Sequence, residues 1–438
     1  MPAMKKILHF LTSKIKYIVL IYFASQLILI FSIHPGYKSD ARYYYNLAQE
    51  CIQSGEFYPA KVQITEDYIV APLYINILIQ LLLVHNSTVT ISLFNFFIIV
   101  VQLLVIYKIT LKIFSAYVAK ISILLYIFYL NTIGLMLSNY TELFFLLLIS
   151  SSIYFFLIKT KSSYLFSGIL IGGAIAVRPA AWALLISFIV LQIYNVYKSK
   201  KFSFNYLFLY SGVLIFILFF GVFTYSHFGK FEFTSTTGPV NLLIGANDDA
   251  TGAFNSTVFD KGKVRYIADP DSMTFIQKGE YYQDAALNWI EENPIEWILL
   301  APLKLFHTFG WDDIALSYLL GFGDLNFAKV LKVAVTEKNF NKALPNTNVF
   351  LKVLYFIVII VSHLIYYLIL FCILPGIYYL FKNKQLNDGS ILILLFSFFS
   401  IIMIMITVGT PRYKYPVFII LLPIAAYNIA MKLKLGKQ

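Results

Sequence analysis

The chain has 438 residues, of which 59% are hydrophobic and 13% charged, with a mean hydropathy of +0.75. That composition excludes a soluble globular domain and a disordered tail, and points to a polytopic membrane protein. The formal charge of +12 is no sign of a nucleic-acid partner, because the lysines gather in short runs between apolar segments, as cytoplasmic loops do under the positive-inside rule.

The N-terminal run carries basic flanks and no small-residue cleavage site, so it reads as a retained first span. Apolar runs of about 20 residues suit helices crossing a bilayer, and they predict spans near residues 17–33, 69–84, 91–107, 121–137, 141–158, 205–225, 350–381, 391–408 and 416–432. A long run at 164–197 is broken at Arg178-Pro179. Two polar loops interrupt the pattern, 34–68 and 226–349, the second holding the amphipathic stretch NPIEWILLAPLKLFHTFGW. The chain therefore divides into an N-terminal membrane half, 1–225, with its first loop 34–68, an outer loop region, 226–349, and C-terminal spans, 350–438. Lysine and arginine counts place both termini in the cytoplasm and both large loops outside. Ten or twelve crossings satisfy that arrangement. Cys51 lies in a polar loop and Cys372 in an apolar run, so neither a disulfide nor a cysteine metal site is expected.

In the first loop, Tyr44, Leu47, Ala48 and Cys51 recur at helical spacing after Ser39-Asp40, which predicts an amphipathic surface helix. Asp40 has two readings, a helix cap and an acid presented to a substrate, and Tyr43 and Tyr44 have two, interfacial anchors and substrate contacts. Glu142 sits at the mouth of a span on the same side. Arg178 lies inside an uncharged stretch, where an arginine costs several kcal/mol and calls for an anionic partner. An ion pair with Glu142 and a phosphate ligand both answer that need. Arg412 and Lys414 stand at the outer end of the last span, as snorkelling cations or as further phosphate ligands. In the second loop, the glycines and the Asn-Asp-Asp of GPVNLLIGANDDATGAF are turn formers. Their alternative is recognition of sugar or acceptor by Asn241 and Asn247, or metal binding by Asp248 and Asp249. Adjacent carboxylates face water far more often than metal, so no metal site and no cofactor are assigned, a divalent metal being left open. His34, His227 and His307 show no ligand spacing and read as interfacial.

The order of the segments SDARYYYNLAQ, SGEFY, APLYINILIQLLL, SNYTELFFLLL, LFSGILIGGAIAVRPAAW, GPVNLLIGANDDATGAF, NPIEWILLAPLKLF and PRYKYPVFIILLP resembles the GT-C integral-membrane glycosyltransferases, in particular the branch of protein O-mannosyltransferases and lipid A aminoarabinose transferases. The resemblance implies an all-α, polytopic helical bundle with amphipathic helices in its first outer loop. It implies an inverting glycosyltransferase that takes a monosaccharide from a polyprenyl-phosphate donor and passes it to an extracytoplasmic glycan, lipid or protein. Asp40 then corresponds to the catalytic base and Glu142 to a second acid near the active site, while Arg178 and Arg412 hold the donor phosphate. One departure concerns the acceptor: the lipid A branch has a lysine directly before its Pro-Pro-Leu helix start, where this chain has Val70 and Ala71.

The chemistry asks for the same groups. A sugar or serine hydroxyl needs a carboxylate to take its proton, a polyprenyl phosphate leaves more easily when positive charge surrounds its oxygens, and direct displacement inverts the anomeric centre without a carboxylate nucleophile. The competing readings are a polymerase of lipid-linked repeats and a flippase or transporter of lipid-linked sugars. A transporter would line several helices with charge through the membrane depth, whereas most spans here carry none.

Overall fold

The computed structural model describes residues 2–34, 36–37, 39–263, 266–269, 272–320, 322, 327–336 and 349–434. In a bilayer each backbone N–H and C=O must find its partner within the segment or in a closed barrel, and the apolar runs accordingly form helices. In chain order these are α1 (Pro2–Ser13), α2 (Ile15–Ser32), α3 (Ser39–Ser54), α4 (Pro72–Val84), α5 (Thr88–Ile113), α6 (Ala116–Phe128), α7 (Asn131–Met136), α8 (Glu142–Phe156), α9 (Lys161–Ile175), α10 (Trp182–Ser199), α11 (Asn205–Phe228), α12 (Gly238–Ile244), α13 (Phe275–Glu292), α14 (Pro294–Phe309), α15 (Ile314–Leu319), α16 (Phe327–Thr336), α17 (Val349–Lys382), α18 (Asp388–Ile406) and α19 (Lys414–Lys432). Among the described residues no strand forms, and Ala253 makes one isolated bridge with Gly409.

Among the described residues, seven helical segments are long and apolar enough to cross a membrane: Ile15–Ser32, Thr88–Ile113, Pro179–Ser199, Asn205–Phe228, Phe350–Lys382, Asp388–Ile406 and Pro411–Lys432. The chain is a multi-pass membrane protein. The last of these segments is the hub: 83% of its apolar window is buried, against 44% or less for the others. It packs against α6, α8, α17 and α18, so Arg412 at its N-terminal end is held by the best-packed helix of the bundle.

Three expected spans differ. The runs 69–84 and 141–158 form the shorter apolar helices α4 and α8, of 13 and 15 residues. The run 121–137 is not one helix: α6 stops at Phe128 and α7 restarts at Asn131. Tyr129 and Asn131 there turn their polar ends to Asp312, at 2.8 and 3.1 Å, and that buried acid claims the backbone step between the two helices. The run 164–197 breaks where the sequence has Arg178-Pro179, into α9 and α10, and the Arg178 backbone is extended (φ −155°, ψ 133°) as a residue before proline prefers.

Glycine sets how closely α9 and α11 approach. A Cβ on Gly168 would stand 1.9 Å from the carbonyl oxygen of Leu209, and one on Gly212 would stand 2.4 Å from that of Leu165. Small residues that let backbones touch are a common basis of helix association in membranes. Gly168→Ala is expected to lower the thermal midpoint in detergent, because the added methyl meets backbone; overpacking of this kind costs about 1–3 kcal/mol. An unchanged midpoint would show that α9 and α11 can part at no cost.

The two long polar loops build a second, smaller core. Val240, Leu243 and Ile244 of α12 meet Tyr282, Ala286 and Trp289 of α13, together with Val408 just before the last span. The two loops are also joined by polar contacts: the buried Lys278 of α13 donates to the Thr65 carbonyl at 2.6 Å and to Asp67 at 3.1 Å. Further along, the Thr236 amide donates to the Ile69 carbonyl at 2.9 Å. First loop, second loop and the segment before Arg412 therefore form one rim.

Candidate functional site

Four elements bring charge to one point. Asp40 stands in the first turn of α3, whose buried face is Ala41, Leu47, Ala48 and Cys51. Glu142 opens α8, where the helix dipole favours a negative group. Arg178 and Arg412 each lie at a short 3-10 turn that begins with proline, Pro179–Ala181 and Pro411–Tyr413, and each turn leads directly into a span. Arg178 stands directly before its proline and Arg412 directly after its own, so each arginine is fixed beside a residue that suits the first turn of a helix.

Glu142 is 1% exposed and lies 2.7 Å from Arg178 and 3.7 Å from Arg412. It is the carboxylate that both guanidiniums share. Arg412 also pairs with Asp40, and Arg178 donates to the Thr141 hydroxyl at 3.3 Å. Aromatic faces complete the clamp: the Arg412 guanidinium lies 4.3 Å from the centre of the Tyr140 ring, and that of Arg178 lies 5.1 Å from Tyr413. Two acids face two bases, so the cluster is neutral as it stands.

The acids are not equivalent. Asp40 is 42% exposed while its partner Arg412 is 17% exposed, which leaves the Asp40 carboxylate within reach of a ligand and keeps Glu142 out of reach. Burial pushes the Asp40 carboxyl up, but the Arg412 charge and hydrogen bond, together with Arg178, outweigh it and hold the group below the usual carboxylate range.

The cluster borders a cavity of about 930 Å³, a size typical of small-molecule sites. Asp40, Arg178 and Arg412 line it together with Tyr43, Tyr44 and Asn241. Tyr43 is oriented by its hydrogen bond to Glu66 at 3.0 Å. Toward the spans the wall turns apolar, with Phe396, Met403, Ile404 and Val417. At the loops it is polar and aromatic, with Asp67, Tyr68, Tyr266 and Tyr282.

Two residues expected at the site lie elsewhere. Lys414 is fully buried and paired with Asp312 at 3.0 Å, both side chains 0% exposed. It also donates to the carbonyls of Thr308, at 3.3 Å, and Trp311. Two residues along a helix turn point well apart, so proximity to Arg412 in sequence does not carry Lys414 to the cavity. Asn247 is buried and closes the end of α12, donating to the carbonyls of Leu243 and Ile244 at 2.8 and 3.1 Å and accepting from the Asp249 amide at 2.9 Å.

Asp248 and Asp249 are held by Trp289 and Lys263, each at 2.7 Å. Among the described residues no three His, Cys, Asp or Glu side chains gather to hold a metal ion. Sequence reasoning assigned no site role to Tyr140 or Tyr413 and read His307 as interfacial. His307 lines the cavity from α14, and nothing in its spacing to other histidines signals that.

Neither a protein-family model nor a curated protein matches the sequence. Solved structures do. The apo oligosaccharyltransferase of Archaeoglobus fulgidus aligns with a TM-score of 0.52 and 11% identity, over 95% of this chain and 50% of that one. The same protein tethered to an acceptor peptide containing the NVT sequon gives 0.49 and 13%, over 95% and 49%. This chain spans about half the length of the structures it matches, and what the likeness to the apo protein establishes is the fold, a GT-C helical membrane bundle.

Proposed function

We propose that the chain is an inverting membrane glycosyltransferase that moves a monosaccharide from a polyprenyl-phosphate donor to a glycan, lipid or protein acceptor outside the cytoplasm. The observation that carries this reading is one cavity presenting a half-exposed carboxylate, Asp40, beside two guanidiniums, Arg178 and Arg412, with an apolar wall continuing into the spans. A donor with a phosphate, a sugar and a long apolar tail needs those three surfaces. The GT-C fold is in keeping with it.

The steps follow from charge. Arg178 and Arg412 present planar forks suited to the phosphate oxygens. A bound phosphodiester adds one negative charge to a neutral cluster and competes with Asp40 for Arg412. Both effects raise the basicity of Asp40 just when it is needed. The acceptor hydroxyl attacks the anomeric carbon, its proton passes to Asp40, and the bond from that carbon to the phosphate oxygen breaks toward the guanidiniums. Protonation of Asp40 leaves the protein cluster with one net positive charge, facing the phosphate monoester that gains a negative charge as the bond breaks. Glu142, being buried, touches no substrate; its role is to hold the two arginines together in a medium that would otherwise exclude them.

Purified protein in lipid, given radiolabelled polyprenyl-phosphate sugars of several kinds with membrane extract as acceptor source, tests the reading. Transfer with an inverted anomeric centre is expected from at least one donor. Neither transfer nor saturable donor binding with any of them would remove it in favour of the polymerase or transporter. With the productive donor, Arg178→Lys is expected to keep a positive charge yet lose the fork. A fall in kcat of roughly 10²- to 10³-fold, the usual effect of losing one donor to a developing oxyanion, would place Arg178 at the phosphate; an unchanged kcat would leave it a structural partner of Glu142.

A further inference from the structure

The loop end of the cavity is built unlike its arginine end. Asp67 lines it, and although the buried Lys278 holds one of its oxygens at 3.1 Å, the Asp67 side chain stays 60% exposed. Phe254 and Tyr266 line the same cavity and are 63% and 37% exposed. A single exposed ring needs no explanation, but these two share one concave wall with an accessible carboxylate and with the amide of Asn241. Phe254 is also held in place from behind. Its neighbour Ala253 bridges Gly409, and the Gly409 amide donates to the Gly252 carbonyl at 2.9 Å, which ties that turn to the segment leading to Arg412.

A path of side chains joins this wall to Asp40. Tyr43, one turn along α3 from Asp40, meets Tyr68 edge to face with ring centres 6.0 Å apart, and Tyr68 adjoins Asp67 in sequence. Burial pushes the Tyr68 hydroxyl up, and the charges of Asp40 and then Asp67 push it further, so that hydroxyl stands near both acids. In a direct displacement the leaving phosphate and the incoming hydroxyl lie at opposite ends of the reacting centre. The arginines take the phosphate end, which leaves the wall from Asp40 to Asp67 for the acceptor.

We propose that the acceptor is an uncharged glycan whose terminal rings lie along Asp67, Asn241, Phe254 and Tyr266 and offer a hydroxyl to Asp40. A sugar ring supplies what this wall accepts: hydroxyls that donate to a carboxylate and exchange hydrogen bonds with an amide, and polarised C–H faces for the negative faces of aromatic rings. Two carboxylates oppose an acidic sugar. An acyl chain finds its match elsewhere, at Phe396, Met403 and Ile404, where the donor's tail lies. The glycan's role as acceptor rests on the transferase reading, whereas its binding does not.

Phe254→Ala and Tyr266→Ala in the full-length protein test it, with the thermal midpoint as the check that removing an exposed ring leaves the fold intact. With the productive donor and membrane extract, the apparent KM for acceptor is expected to rise roughly tenfold in each, about the weight of one aromatic contact. Donor KM and kcat should stay at wild-type values, Tyr266→Phe should behave as wild type, and linkage analysis of the labelled product should return a sugar–sugar bond. An array of neutral oligosaccharides probed with the purified protein gives a readout that needs no donor. Wild type is expected to bind there and both alanine variants to bind more weakly. If that holds while no donor supports transfer, the transferase reading falls and the glycan site stands. Label on serine, threonine or a lipid headgroup would overturn the proposal. So would a rise in donor KM in place of acceptor KM, array binding that the variants leave unchanged, or no array binding at all.

Discussion

Asp40→Asn is expected to abolish transfer while leaving donor binding intact, with kcat falling roughly 10²- to 10⁴-fold, the range for loss of a general base. Asparagine keeps the shape of the side chain and an oxygen for Arg412, so the clamp around Glu142 survives, but the amide cannot take up the acceptor's proton. Donor affinity, read by binding of a labelled polyprenyl-phosphate sugar, should hold or rise, because the substitution removes a competitor for Arg412. If Asp40→Asn transferred at the wild-type rate, Asp40 would be reduced to a cap of α3. Glu142, 1% exposed, would be a poor replacement, since a hydroxyl cannot reach it without moving both arginines.

The same pair makes a pH prediction. Arg412 and Arg178 hold Asp40 below the ordinary carboxylate range against the upward push of burial. The carboxylate therefore persists as pH falls past its ordinary value of about 3.9, and both its contribution to stability and the free enzyme's basic form are lost only below that. The acid limb of kcat/KM, which reports the free enzyme, should lie at the low edge of the range where the protein stays folded. In Arg412→Gln it should move up. A limb that stays put in Arg412→Gln would mean that another group titrates there.

How much of this was legible in the sequence depends on what each feature rests upon. Helical spacing in the first loop rests on local geometry, and α3 buries Ala41, Leu47, Ala48 and Cys51 as that spacing requires. The meeting of Asp40, Glu142, Arg178 and Arg412 was suggested by cost: charges in apolar surroundings must find each other, and Arg178 does reach Glu142 at 2.7 Å. Sequence could not say which acid faces the ligand, because that is decided by 42% against 1% exposure, a property of the packed bundle. Nor could it separate Arg412 from Lys414. Hydropathy failed in a similar way at 121–137, where the apolar average hides Tyr129 and Asn131 turning toward Asp312.

Asp312→Ala is expected to have the largest effect on stability. Asp312 and Lys414 are both 0% exposed and 3.0 Å apart; removing the acid leaves an ammonium enclosed with the carbonyls of Thr308 and Trp311 for partners. Breaking a buried pair in this way costs about 3–5 kcal/mol, whereas replacing both members is often nearly neutral. The double variant Asp312→Asn, Lys414→Met should therefore recover most of the thermal midpoint lost by the alanine variant, with asparagine still offering an oxygen to Tyr129 and Asn131. The double variant also separates two roles for Lys414. As the partner of Asp312 it holds the turn after α14 against the last span, and transfer should return with the fold. As a ligand of the donor phosphate it would be missed even in a well-folded protein, and a recovered midpoint with lost donor binding would move Lys414 back to the cavity. The geometry favours the first outcome, since a lysine enclosed by one carboxylate and two carbonyls has no donor left to offer a substrate.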